Sequence, residues 1–337
     1  MATSVLVIYT GGTIGMQPTE KGFAPATGLE TCLRQGLGEE MNDVDWLEIT
    51  PLIDSSNAQP SDWLRLAHLI TQQWHAYQGF IILHGTDTLA YTASALSFFL
   101  GALDKPVVLT GSQIPLMQSR SDGWRNVSNS LAVAKAGTLN EVSVCFHDKV
   151  LRGNRSRKLH SQTMHAFDSP AFPALMELGI SPAWNTRSSL VTELAPVMHQ
   201  PLPEKINDRA VEMIMLYPGM HQRACEWLLH QPDLRGLVVL SYGAGNPPTG
   251  EDGPLNCLQT LVKQQVLVVN ISQCISGGVE QGSYASGAEY NRIGVLPGGD
   301  MTPEAALTKL HWLFASGASA EHSAQLVQRS IAGELTA

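Results

Sequence analysis

Short runs of uninterrupted apolar residues set the tightest limit on how this chain folds. Val5-Leu-Val-Ile-Tyr9 is the first, and the runs over 79–83, 106–109, 141–145, 213–216, 236–240 and 266–269 repeat it. Runs of this length without polar alternation mark strands buried on both faces, which is the habit of a parallel sheet. Between them lie helical patterns. The stretch 61–77 carries Trp63, Leu66, Ala67, Ile70 and Trp74 at helical spacing, and 87–100 and 122–136 behave alike. Strands alternating with helices predict an α/β fold with helices on both sheet faces.

The stretch 194–208 breaks the rhythm. It holds Pro196, Pro201 and Pro203 and has no apolar period. It reads as a linker. The expected organisation is a doubly wound parallel-type domain over 1–193, the linker over 194–208, and a smaller α/β domain of flavodoxin or Rossmann-like kind over 209–337.

Bulk properties exclude some classes. A net charge of -9 disfavours nucleic acid and anionic membranes as partners. No apolar run approaches the roughly 18 residues of a membrane span. The five cysteines form no Cys-x-x-Cys pair and mostly sit in apolar runs. Reduced, buried thiols in a reducing compartment are expected. Met1-Ala2-Thr3-Ser4 leads into the first strand without a charged leader, so a cytoplasmic location is expected. The eleven histidines show no metal-site spacing, and no metal is expected.

In open parallel sheets, ligands bind beyond the carboxyl ends of the strands. Hydroxyls and glycines follow those ends here. They are Thr10-Gly11-Gly12-Thr13-Ile14-Gly15, His84-Gly85-Thr86-Asp87-Thr88, Thr110-Gly111-Ser112-Gln113 and Ser241-Tyr242-Gly243-Ala244-Gly245-Asn246. The first motif has three readings: a nucleotide-binding turn, a plain turn, or a turn exposing a nucleophilic threonine. Its Gly-Gly-x-x-Gly spacing departs from the dinucleotide fingerprint, and no acidic residue closes a clear second strand. In the second motif, Thr86 or Asp87 is either a helix cap or part of a site at a helix start. His84 reads as a loop or core histidine. Arg152-Gly-Asn-Arg155-Ser-Arg157-Lys158 is either a solvated basic loop or a segment that sends Lys158 into a site. A partly desolvated lysine beside Asp87 can activate a hydroxyl.

Taken together, these segments resemble the L-asparaginase family, in particular its bacterial cytoplasmic type I branch. The resemblance runs from Thr10-Gly-Gly-Thr13 through Leu52-Ile-Asp54-Ser55-Ser56, the Thr86 motif, Arg152-Gly-Asn-Arg155 and the Ser241 motif to Gly298-Gly-Asp300. It implies a metal-free and cofactor-free hydrolysis of L-asparagine to L-aspartate and ammonia through an acyl-threonine. It implies Thr13 as nucleophile, and Thr86, Asp87 and Lys158 as a second triad. It implies Asp54, Ser55 and Ser56, with Thr86 and Asp87, as substrate contacts, and Asn246 as a contact reaching in from a neighbouring subunit. It also implies a homodimer or homotetramer. The stretch 14–28, rich in glycine and proline, reads as a lid.

Three positions depart from the family pattern. Phe23 stands where many relatives carry a lid tyrosine, which shifts weight from Thr13 to the Thr86, Asp87 and Lys158 group. Leu240 replaces an arginine of a regulatory asparagine site, and Arg157 replaces a small hydroxyl residue there, although Cys274 is kept. Weak or absent homotropic activation is expected. Two other functions remain open: an amidohydrolase acting mainly on glutamine, and an ammonia-supplying amidotransferase subunit. The latter needs an RNA-binding domain or basic face, and neither is evident.

Overall fold

A computed structural model describes residues 4–20, 22–25, 28–185, 194–199 and 201–336. The chain forms two compact units, Met1–Gln200 and Pro201–Ala337.

In the first unit, β1 (Val5–Tyr9) leads to a hairpin of β2 (Met16–Thr19) and β3 (Gly22–Pro25), then α1 (Leu29–Leu37) and β4 (Val44–Glu48). The alternation continues through α2 (Pro60–Gln72), β5 (Gly79–Leu83), α3 (Leu89–Phe99), β6 (Val107–Thr110), α4 (Gly123–Ala136) and β7 (Val142–Phe146). Five shorter strands follow: β8 (Lys149–Arg152), β9 (Arg157–Lys158), β10 (Phe167–Asp168), β11 (Met176–Leu178) and β12 (Pro182–Trp184).

The main sheet has the order β12-β11-β8-β7-β6-β5-β1-β4. From β4 to β7 all neighbours are parallel. The chain passes from β1 out to β4 and then returns to the other side of β1 as β5. The strand order therefore reverses between β1 and β5, the place where open α/β sheets leave a crevice. Every residue of β1 and β5 is buried. One face packs Val5, Val7, Ile81 and Val108 against Leu33 of α1 and Val127 and Leu131 of α4. On the other face Trp74 stacks on Phe80 with ring centroids 5.4 Å apart. There α2 and α3 pack together, and α3 lies on β6 and β7. Each fully buried aliphatic side chain contributes roughly 1.5–3 kcal/mol. The crevice is thus flanked by rigid strands.

The second unit is smaller. Its elements are β13 (Val211–Met215), α5 (Arg223–Glu226), β14 (Gly236–Ser241), α6 (Leu255–Lys263), β15 (Leu267–Ser272), α7 (Ala285–Ile293), β16 (Leu296–Pro297), α8 (Pro303–Ala315) and α9 (Ala320–Val327). Its four strands are parallel in the order β13-β14-β15-β16. Leu258 and Leu261 of α6 join Leu237, Val239 and Val268 in one core, and α8 packs across β13, β14 and β15. Lys309 of α8 is buried and bonds Glu334 at 2.5 Å, which ties the C-terminal segment down.

The α/β architecture follows the expected alternation, with several differences. The large sheet is mixed, because β8, β11 and β12 extend it antiparallel. The helix expected over 61–77 ends at Gln72, and Trp74 lies beyond it. Within 14–28, β2 and β3 pair as a hairpin with Pro18 opposite Phe23. The strand β4 was not expected, and it ends in Glu48. An acidic residue does therefore close the second parallel strand, contrary to expectation. Within the segment 194–199, Pro196 bridges to Ala102 and the Val197 N–H donates to the Ala102 carbonyl at 2.8 Å.

Candidate active site

The carboxyl ends of β1 and β5 are fastened to each other before any side chain is considered. The Thr10 N–H and hydroxyl both donate to the Leu83 carbonyl, at 3.0 and 2.9 Å. On the other side the Ile53 N–H donates to the Thr10 carbonyl at 2.8 Å. The glycines that follow have φ of 114° at Gly11 and 88° at Gly12, which side chains rarely tolerate. Space forbids side chains as well. A Cβ on Gly11 would lie 2.3 Å from the Ile53 carbonyl oxygen, and one on Gly12 would lie 2.3 Å from the Gly85 Cα. A Cβ on Gly85 would lie 2.3 Å from the Ser55 Oγ. Three loops, after β1, before α2 and after β5, therefore meet through backbone.

Thr13 emerges from this junction, half-buried, at the start of the 3-10 turn Thr13–Gly15. No α-helix begins there, because the β2–β3 hairpin follows. The helix N-terminus on which a dinucleotide turn relies is missing, so the nucleotide reading fails despite Glu48. Asp54 caps the 3-10 turn Ser55–Asn57 and accepts the Ser56 N–H at 3.1 Å. Ser55 is buried and Ser56 is exposed. The Thr88 hydroxyl donates to the Ser55 carbonyl at 2.8 Å, joining this loop to the start of α3.

Thr86 is buried, and Lys158 reaches it. Lys158 Nζ donates to Thr86 Oγ1 at 2.8 Å and to Asp87 Oδ1 at 2.7 Å. The Asp87 side chain is 62% exposed and the Lys158 side chain 21%. An ion pair that open to water contributes at most about 1 kcal/mol of stability. Stability alone gives little reason to aim its lysine at a buried hydroxyl. Neither Thr86 nor Asp87 caps a helix, since α3 starts after Thr88 and no side chain caps it.

The basic segment before Lys158 is not solvated. Arg152 and Arg155 are both buried. Arg152 Nε pairs with Glu141 at 2.7 Å, and both guanidinium groups lie over the Phe172 ring, at 4.5 and 5.1 Å. Burial pushes the Glu141 carboxyl up, and Arg152 opposes it. The 3-10 turn Gly153–Arg155 sits close against the Val142 and Ala93 carbonyls. These contacts fix the root from which β9 delivers Lys158. His84 is a core residue. Its Nδ1 donates to the Gly85 carbonyl at 2.8 Å, its Nε2 accepts from the Thr92 hydroxyl at 3.0 Å, and burial lowers its pKa.

Gln113 joins this group without having been singled out beforehand. The Thr86 hydroxyl lies 3.4 Å from its Oε1. Its position after β6, at the same sheet edge, was the available signal. Asn246 belongs to the second unit, where its Oδ1 accepts from the Ser286 hydroxyl at 3.0 Å. Among the described residues there is no cluster of three or more His, Cys, Asp or Glu side chains able to hold a metal, and no helix is long and apolar enough to cross a membrane. The cysteines are free, with Cys145, Cys225 and Cys257 buried, Cys32 half-buried and Cys274 exposed.

Comparison with known proteins matches both units. Residues 4–190 fit the model for the asparaginase N-terminal domain, and residues 210–326 fit that for the glutaminase/asparaginase C-terminal domain. The chain belongs to the asparaginase family. It is 42% identical to L-asparaginase 1 of Escherichia coli K12 over 99% of this chain and 98% of that protein. Among solved asparaginases, L-asparaginase I from Vibrio cholerae superposes with a TM-score of 0.86 at 39% identity, covering all of both chains. A probable cytoplasmic L-asparaginase from Campylobacter jejuni gives 0.81 at 25% identity, over 97% of this chain and all of that one. The asparaginase fold accounts for the antiparallel extension as well as for the parallel centre.

Proposed function

We propose that this chain is an L-asparagine amidohydrolase that releases ammonia and L-aspartate through an acyl-threonine. One observation carries the reading: Lys158 Nζ lies within hydrogen-bond distance of both Thr86 Oγ1 and Asp87 Oδ1. An amide carbonyl requires a nucleophile, a proton acceptor and donors for the oxyanion. In this reading Thr13 Oγ1 attacks the side-chain carbonyl carbon. Its proton passes through Thr86 to Lys158 and then to the departing nitrogen, which leaves as ammonia. Water next attacks the ester, and the same group returns the proton to Thr13. Asp87 holds Lys158 in place. Asp54, Ser55 and Ser56, with Thr86 and Asp87, grip the α-amino and α-carboxylate groups.

The junction of Gly11, Gly12 and Gly85 supports this arrangement, because it ties the Thr13, Ser55 and Thr86 loops to one another. Asn246 is proposed to complete the pocket from a neighbouring subunit of a homodimer or homotetramer. The two units act as domains joined over 194–208, and the enzyme works in the cytoplasm. The stretch 14–28 serves as a lid. The side chain of Phe23 lies outside the described part, so the reading of that position rests on sequence.

The test is ammonia release from L-asparagine, L-glutamine and D-asparagine by the wild type, Thr13→Ala and Thr86→Ala. Both variants should lose L-asparagine activity. Activity retained in both would sink the threonine mechanism, and a preference for L-glutamine would move the substrate. Light scattering on the eluting protein checks the assembly.

A further inference from the structure

Thr86 has one hydroxyl hydrogen and two neighbours. Lys158 Nζ donates to its oxygen at 2.8 Å, and the hydroxyl itself points to Gln113 Oε1 at 3.4 Å. The orientation of the Gln113 amide is settled by its other end. Its Nε2 faces two carbonyl oxygens, Thr163 at 3.1 Å and His160 at 3.4 Å, so the NH2 group must lie there and the oxygen must face Thr86. The main chain of Gln113 is held too. Its N–H donates to the Asp122 carboxylate at 3.1 and 3.0 Å, and the next N–H, of Ile114, does so at 3.0 Å. Asp122 is buried and also accepts from Asn126 Nδ2 at 3.1 Å. Gln113 is therefore a fixed acceptor and not a mobile surface amide.

We propose that Gln113 is a positioning residue that holds the Thr86 hydrogen away from Lys158 in the resting enzyme, and so sets the pH at which Thr86 and Lys158 can move a proton. The inference rests on the proposed role of that pair. With three hydrogens on Nζ, the chain of donors runs from Lys158 to Thr86 to Gln113, and Nζ has no lone pair to offer. When Nζ releases one proton to solvent, its lone pair becomes the better acceptor. The Thr86 hydroxyl then turns from Oε1 to Nζ. Gln113 favours the first arrangement, because it gives the Thr86 hydrogen a partner only there. The same amide holds residues 160 and 163, on the loop that follows Lys158, which keeps both acceptors in one frame. The charged group bonded to Thr86 is Lys158, which pairs in turn with Asp87. His160 contributes a backbone carbonyl, and the Asp122 carboxylate faces the backbone behind Gln113.

The experiment measures kcat/KM for ammonia release from L-asparagine against pH. The proteins are the wild type, Gln113→Met, which keeps the length and removes the acceptor, and Gln113→Glu, which keeps an acceptor and adds negative charge. The acid limb should move to lower pH in Gln113→Met by about half to one pH unit, the size of one hydrogen bond. In Gln113→Glu it should move to higher pH. A purely structural role would lower kcat without moving the limb. The inference is overturned if either folded variant leaves the limb in place, or if both shift it the same way. Each variant is decisive alone should the other fail to fold. A wild type that releases no ammonia defeats the proposed function, whereas an active wild type with unmoved limbs defeats only this inference.

Discussion

Lys158 Nζ and Thr86 Oγ1 lie 2.8 Å apart although 72 residues separate them in the chain. The lysine comes from β9 and the threonine from the loop after β5, so two separate parts of the unit meet in the proton path proposed above. If that path carries the reaction, either end alone should disable it. Lys158→Met and Thr86→Val should each lower kcat by roughly 10²–10⁴-fold, and Thr86→Val should also raise KM because Thr86 is a proposed substrate contact. The double variant should be no worse than the poorer single one, because groups acting as a unit are not additive. Steady-state ammonia release from the three proteins checks this, and independent, multiplying losses would contradict it.

Gly12→Ala should damage both stability and rate. The added Cβ would meet the Gly85 Cα at 2.3 Å, and the φ of 88° would be strained. Left-handed strain and overpacking together cost roughly 2–5 kcal/mol. Displacing Thr13 by about 1 Å should cost a further 100-fold in rate. Urea unfolding and kcat measured on the same preparation test the two parts separately.

The C-terminal segment should behave as part of the second core. Lys309 and Glu334 are 1% and 0% exposed and pair at 2.5 Å. Lys309 also donates to the Val327 and Arg329 carbonyls, while Glu334 accepts the Ile331 and Ala332 N–H groups. Removing one partner leaves a buried charge, so Glu334→Leu should destabilise by about 3–5 kcal/mol. Lys309→Met combined with Glu334→Leu should recover part of that loss. Chemical denaturation of the single and double variants is the measurement. A single variant as stable as the wild type would contradict it.

Acid should weaken the second unit through His311. Burial pushes this imidazole down to about 4, with the Asp208 charge and a hydrogen bond to the Asn207 backbone opposing the shift. Unfolded, the group titrates near its ordinary value of about 6.5. Between those values the unfolded chain binds more protons, so stability is complete above pH 6.5 and falls as pH drops toward 4. The expected loss is roughly 3 kcal/mol over that window. His311→Leu should remove this part of the slope. Urea midpoints at pH 7 and pH 4.5 for both proteins decide it.

The fold was legible where burial is symmetric. Val5–Tyr9 and Gly79–Leu83 are apolar throughout because both faces of each strand are covered. Val44–Glu48 escaped because it lies at the sheet edge, half-buried, with Asp45 and Glu48 exposed or partly so. Arg157–Lys158 is too short to leave a pattern. The site divides in the same way. Thr13, Thr86 and Asp87 stand out because strand ends leave hydroxyls and glycines in recognisable order. The burial of Arg152 was hidden, since Glu141, the partner that makes it tolerable, lies eleven residues earlier, just before β7. Gln113 stood in a strand-end motif, but its contact with Thr86 was hidden for a like reason. Its aim depends on Asp122 and on carbonyls 47 and 50 residues away.

The meeting of Gly11, Gly12, Gly85 and Ser55 has a consequence for how this catalyst can change. Cavities usually evolve by trimming or swelling the side chains that line them. At this junction main chain abuts main chain, the Ser55 side chain against Gly85 apart, so little remains to trim, and additions collide. Changes of substrate size are therefore expected to arise through loop insertions, deletions or the opposite wall, and random point libraries aimed at these glycines should yield mostly inactive clones.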